Sequence, residues 1–166
     1  MNNYILRTGA IGALLDEYER AINHLKIIIS DIPTNKLTTI VDSKTKDEHC
    51  RSIQTILTHV VRSGFNYAVA INRLKKADIP YRDYVWRNDV TDYLKDLDQF
   101  FIYTEEVLGQ FTDKEIEEPD NSKKILTRWD QWYDIEQLME HAIVHILRHR
   151  RQIEKFLIKL EDMFNH

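Results

Sequence analysis

The chain has 166 residues with a formal net charge of −4, 43% of them hydrophobic and 30% charged. That length suits a single domain over residues 1–166 with a real core, and the interspersed charges exclude the basic footprint of a nucleic-acid or anionic-membrane binder. Only four glycines and three prolines, among many Leu, Ile, Glu and Lys, argue for helices over a sandwich or barrel.

The one cysteine, Cys50, cannot close an internal disulfide, which favours a reducing compartment. Near the N-terminus the apolar run Ala10-Ile-Gly-Ala-Leu-Leu15 lies among Arg7, Asp16 and Glu17. A signal peptide needs a longer uncharged run and a membrane span about 20 apolar residues. The expectation is a cytoplasmic protein with no membrane segment.

A first helix is predicted from about Tyr4 to about Ile29, with Ile11, Leu14, Leu15, Tyr18, Ile22, Leu25 and Ile29 recurring at threes and fours. Pro33 stops it, and Thr34 to Lys46 reads as a polar loop. A second helix is predicted from near Asp47, with Thr45 and Glu48 spaced as a capping box, to near Ala77. Its stripe is Ile53, Ile56, Leu57, Val60, Val61, Gly64, Ala68 and Ile71. Tyr81 to Trp86 reads as an aromatic loop packed on the bundle. Asn88 is the candidate cap of a third helix reaching about Phe111. Residues Thr112 to Asp130 form a long connection, a length that is often functional or ordered by short elements. Trp129 and Trp132 end it, reading as a packed loop or as a substrate mouth. The fourth helix starts near Tyr133, its apolar face carrying Leu138, Ala142, Ile146, Ile153, Phe156 and Leu160. Four long helices with polar connections describe an all-α four-helix bundle, whose topology the loops leave open.

The fourth helix also carries His141, His145 and His149, three of the chain's seven histidines within nine residues. Residues four apart on a helix have β-carbons about 5–6 Å apart, close enough for two imidazoles to meet one ion. Turning about 100° per residue, His149 falls mid-face and is expected to be buried. His145 falls at the edge, beside a cavity, and His141 leans toward solvent. Imidazoles side by side in a core carry nitrogens that need partners, and a cation satisfies them together. Reactive zinc sites use three protein ligands, and His59 on the second helix is the best third candidate. His24, His49 and His166 sit alone and carry no signal.

A helix-two histidine followed by a late His-x-x-x-His-Arg-x-Gln, here Ile56-Leu-Thr-His59-Val-Val and His145-Ile-Leu-Arg-His149-Arg150-Arg151-Gln152, resembles the DinB/YfiT-like metalloproteins. The resemblance spans essentially the whole chain. It implies a four-helix bundle holding a divalent metal ion, usually zinc or nickel, on His59, His145 and His149. It also implies a homodimer, and it points to transfer of a low-molecular-weight thiol, such as bacillithiol or mycothiol, to a small-molecule substrate. The departure is Arg151, where the family commonly has glycine; it either narrows the opening or faces solvent.

Around this core, Gln152, Ser63 and Tyr67 lie on faces from which they could orient the imidazoles. Arg148, Arg150 and Arg151 either attract an anion or pair on the surface with Asp134, Glu140 or Glu154. Metal-assisted hydrolysis and a non-catalytic, stress-linked dimeric bundle are the competing readings. The His-Glu-x-x-His of zinc proteases is absent, as are the Glu-x-x-His pairs of di-iron bundles. Cys50 is a weak candidate nucleophile.

Overall fold

Each of the four periodic stretches folds as a long helix, and the ends are set by local hydrogen bonding. The structure, a computed structural model, describes residues 6–164; Tyr4, Ile5 and His166 lie outside them. Among the described residues the helices are α1 (Gly9–Ile29), α2 (Thr34–Thr38), α3 (Ile53–Asn72), α4 (Val90–Leu108) and α5 (Ile135–Phe164). None is long and apolar enough to cross a membrane.

Several boundaries differ from the sequence expectation. The second long helix begins at Ile53, because the Ser52 hydroxyl accepts from the backbone of Thr55 and the Thr55 hydroxyl accepts from Ser52 in return. Upstream, Asp47 caps a separate turn of 3₁₀-helix, Glu48–Cys50. Its other end stops at Asn72, short of Ala77. The cap of α4 is Asp89 rather than Asn88, and the helix ends at Leu108, before Phe111. Helix α5 begins at Ile135, where Asp134 and Gln137 exchange backbone-to-side-chain bonds of 2.9 and 3.1 Å. Part of the polar loop after Pro33 is the short helix α2.

Helix α3 packs against α4 and α5, and α1 packs against the same two. Across the bundle α1 therefore lies diagonal to α3, and α4 diagonal to α5. The two long connections, residues 30–52 and 109–134, join those diagonal pairs. The second is ordered by two 3₁₀ turns and a small antiparallel hairpin, β1 (Ile125–Leu126) with β2 (Trp132–Tyr133). It begins under α1, where Asp113 accepts from the free backbone N–H of Ile11 at 2.9 Å.

The core is chiefly apolar, with Leu25, Ile56, Leu57, Tyr93, Leu97, Phe100, Met139 and Ile153 fully buried. Burying each Leu or Ile contributes about 1.5–3 kcal/mol. At Gly64 a β-carbon would stand 2.8 Å from the Phe100 ring. The missing side chain lets α3 close onto α4 and fixes the height of the α3 residues one turn above, His59 among them.

Candidate metal centre

Helices α3 and α5 meet along the histidine-bearing side of α5. His59, His145 and His149 each offer a ring nitrogen, and those atoms lie within 4.8 Å of one another. Nε2 of His59 stands 3.0 Å from Nε2 of His145. His149 bonds through Nδ1 to the side-chain oxygen of Gln152 at 3.1 Å. Because an amide oxygen only accepts, His149 carries its proton on Nδ1, and its Nε2 is left with a lone pair for the centre.

Burial is distributed differently from the sequence expectation. His145 is the buried ring, at 5% exposure, while His149 and His141 are half-buried. Helix α5 packs on α1 with one side and on α3 with the next, so its buried sector is wider than the stripe of aliphatic residues. Tyr67 of α3 covers this side, its ring edge-on to both His145 and His141 at 5.6 Å.

Burial is also the leading cause of the lowered basicity of all three rings. It brings His145 down to about 2 and His59 down to about 4, with repulsion from His149 adding to both. Burial lowers His149 as well, against the opposing pull of its bond to Gln152. All three imidazoles are therefore neutral at pH 7, the form in which histidine ligates a metal. Nδ1 of His59 is buried without a hydrogen-bond partner. Three neutral imidazoles presenting convergent lone pairs, and no carboxylate among them, fit a divalent metal ion.

His49, which by spacing carries no signal, lies at the centre's edge. The turn Glu48–Cys50 folds over α3 and stacks the His49 ring on His59, with centroids 5.1 Å apart. Tyr84 from the 73–89 loop bonds Nε2 of His49 at 2.9 Å. Asp47, Glu48, His49 and Cys50 form a polar run before a helix cap, the one trace this feature leaves in the sequence. Cys50 lies 3.6 Å from the same Gln152 oxygen that orients His149, and burial pushes its thiol up, which makes it a poor nucleophile.

Beside His59 opens a cleft of about 310 Å³, within the range of small-molecule sites. Its floor is α3, through His59, Ser63, Asn66, Tyr67 and Ala70, and its outer wall is the hairpin around Trp129. Trp129 also stacks on His141 with centroids 4.5 Å apart. Tyr81 and Tyr84 form the remaining wall. Their loop is held to α3 by Asn66, which donates to the Arg82 carbonyl at 3.1 Å and accepts from its N–H at 2.7 Å. Gln54 holds the Arg87 carbonyl at 2.9 Å.

Within the basic cluster on α5, Arg148 stands near enough to the rings to help lower the basicity of His141, His145 and His149. Arg151 is exposed and faces solvent, and Arg150 lies 3.6 Å from Glu154. Asp134 faces Lys124 at 3.9 Å instead of an arginine.

No curated protein and no solved structure matches the chain. The model of the DinB superfamily matches residues 17–153, a span holding all four long helices in whole or in large part and every histidine of the centre. Motif, bundle and family match agree, and the protein belongs to the DinB superfamily.

Proposed function

We propose that His59, His145 and His149 hold one divalent metal ion, zinc or nickel, and that the protein uses it to transfer a low-molecular-weight thiol to a small molecule. A cation on three imidazoles supplies Lewis acidity, lowering the pKa of a thiol or water bound beside it. The observation that carries the reading is that His59 belongs at once to the histidine centre and to the floor of the cleft. A purely structural metal is closed off by its ligands, whereas a reactive one keeps a position open to a bound molecule. That observation favours chemistry over a structural centre, and family membership favours thiol transfer over hydrolysis.

In this reading Gln152 fixes the His149 tautomer, and Tyr67 shields His145 from water. Ser63 and Asn66 line the path between the rings and the Tyr81–Tyr84 wall. The test is an assay of metal-loaded protein with bacillithiol or mycothiol and a chromogenic aryl halide. Thiol-dependent turnover that disappears together with the metal in His149→Ala supports the reading. Equal turnover by metal-free His149→Ala contradicts it.

The same reading includes a homodimer in a reducing cytoplasm. Val144, Leu147 and Ile158 are exposed at 50%, 38% and 62% and fall on one side of α5, a surface suited to a second copy. Sedimentation at micromolar concentration should give twice the chain mass, and Ile158→Asp should give the monomer.

A further inference from the structure

The cleft beside His59 has a chemical character of its own. Arg62 and Arg128 both line it, while no Asp or Glu does. Among the described residues neither guanidinium pairs with a carboxylate. Each lies instead over a tyrosine ring, Arg62 at 4.3 Å from the Tyr84 centroid and Arg128 at 5.4 Å from that of Tyr81. Arg73 approaches Tyr81 too, at 5.0 Å, which adds positive potential from outside the wall. Nε of Arg62 is buried with no hydrogen-bond partner. A half-buried guanidinium without a carboxylate partner, in a cleft whose lining holds no acidic group, suits an anion.

The rest of the lining is apolar and aromatic. Tyr67 on the floor and Trp129 on the outer wall both line the cleft, with Trp129 exposed at 40%, and one face of its indole is already covered by His141. The lining residues of α3 run from His59 to Ala70, about 16 Å along the helix at 1.5 Å per residue. That length takes a flat body of one or two fused rings with an acidic group attached. Because Asn66 and Gln54 pin the loop that carries Tyr81 and Tyr84, the cleft is formed before anything enters it.

We infer that this cleft takes an aromatic carboxylate, its ring between Tyr67 and Trp129 and its carboxylate on Arg62, with Arg128 at the outer rim. The inference names the small-molecule partner of the centre and rests on the proposed function only for its purpose. Binding itself uses the cleft and needs no metal.

The test compares 1-naphthoate with its neutral analogue 1-naphthalenemethanol by calorimetry, on metal-free and zinc-loaded protein. Saturable binding of one naphthoate per chain is expected in both forms, with the alcohol about tenfold weaker, the scale of one charge-assisted hydrogen bond. Arg62→Met, which keeps the aliphatic stem, and the surface variant Arg128→Met should each weaken naphthoate and leave the alcohol unchanged. Unchanged helical circular dichroism and zinc stoichiometry show that the variants are folded. Equal affinity for the two compounds, no saturable binding, or naphthoate binding that ignores both arginines overturns the inference. Naphthoate that binds only the zinc-loaded protein, whatever residue 62 is, overturns it as well, by placing the carboxylate on the metal. Normal zinc binding with no naphthoate binding defeats this inference and leaves the metal centre standing. Arginine-dependent naphthoate binding with no zinc uptake does the reverse.

Discussion

Gln152 accepts the Nδ1 proton of His149 at 3.1 Å, three residues along the same helix. That one bond fixes both the tautomer and the rotation of the ring, so Nε2 points at His59 and His145. Removing such an orienting partner typically lowers metal affinity 10–100-fold. Gln152→Ala should therefore bind zinc about 10–100-fold more weakly in a chelator competition, with the helical content unchanged. Wild-type affinity in this variant would mean that packing alone orients His149.

The lowered basicity of the rings makes the metal-free fold acid-sensitive. In the unfolded chain each histidine titrates at about 6.5. In the folded protein burial, and then His149, holds His59 down to about 4 and His145 to about 2. Over that interval the unfolded chain binds more protons, so stability present above about pH 6.5 is lost as the pH falls. The Tm of metal-free protein should be level from about pH 8 to 7 and drop steadily below about 6.5. Zinc-loaded protein should hold its Tm to lower pH until protons displace the ion. A metal-free Tm that does not change down to pH 4.5 would show that the rings are hydrated.

Gly64 tests the packing that sets the height of His59. An added methyl would sit 2.8 Å from the Phe100 ring, and overpacking of a tight core costs about 1–3 kcal/mol. Gly64→Ala should lower the denaturant midpoint accordingly and weaken zinc binding by shifting α3. A variant as stable as the wild type would mean that Phe100 moves aside freely.

The helices and the three histidines were legible because they depend on local periodicity. Residues such as Ile56, Val60, Leu138 and Ile146 repeat at helical spacing, and the His145–His149 step places two rings on one side of α5. The element ends were harder. Thr45 and Glu48 imitate a capping box, yet Ser52 with Thr55 makes the real one, and only the packing of the Glu48–Cys50 turn on α3 separates them. The burial of His145 relative to His149 depended on which two helices flank α5, which no stripe on one helix reveals. His49 reaches His59, and Trp129 reaches His141, through connections that cross the bundle diagonals. Such long-range placements leave no spacing to read. Family membership came from the motif, whereas the cleft and its arginines came from the fold.

The proposed chemistry requires that His59, His145 and His149 share one ion. The most direct measurement is the metal content of protein purified without a histidine tag, beside the His59→Ala variant. A shared site predicts about one divalent ion per chain, zinc or nickel, and its loss in the variant. Protein that holds no ion and takes up neither zinc nor nickel when they are supplied, or a variant that keeps its ion, would contradict it.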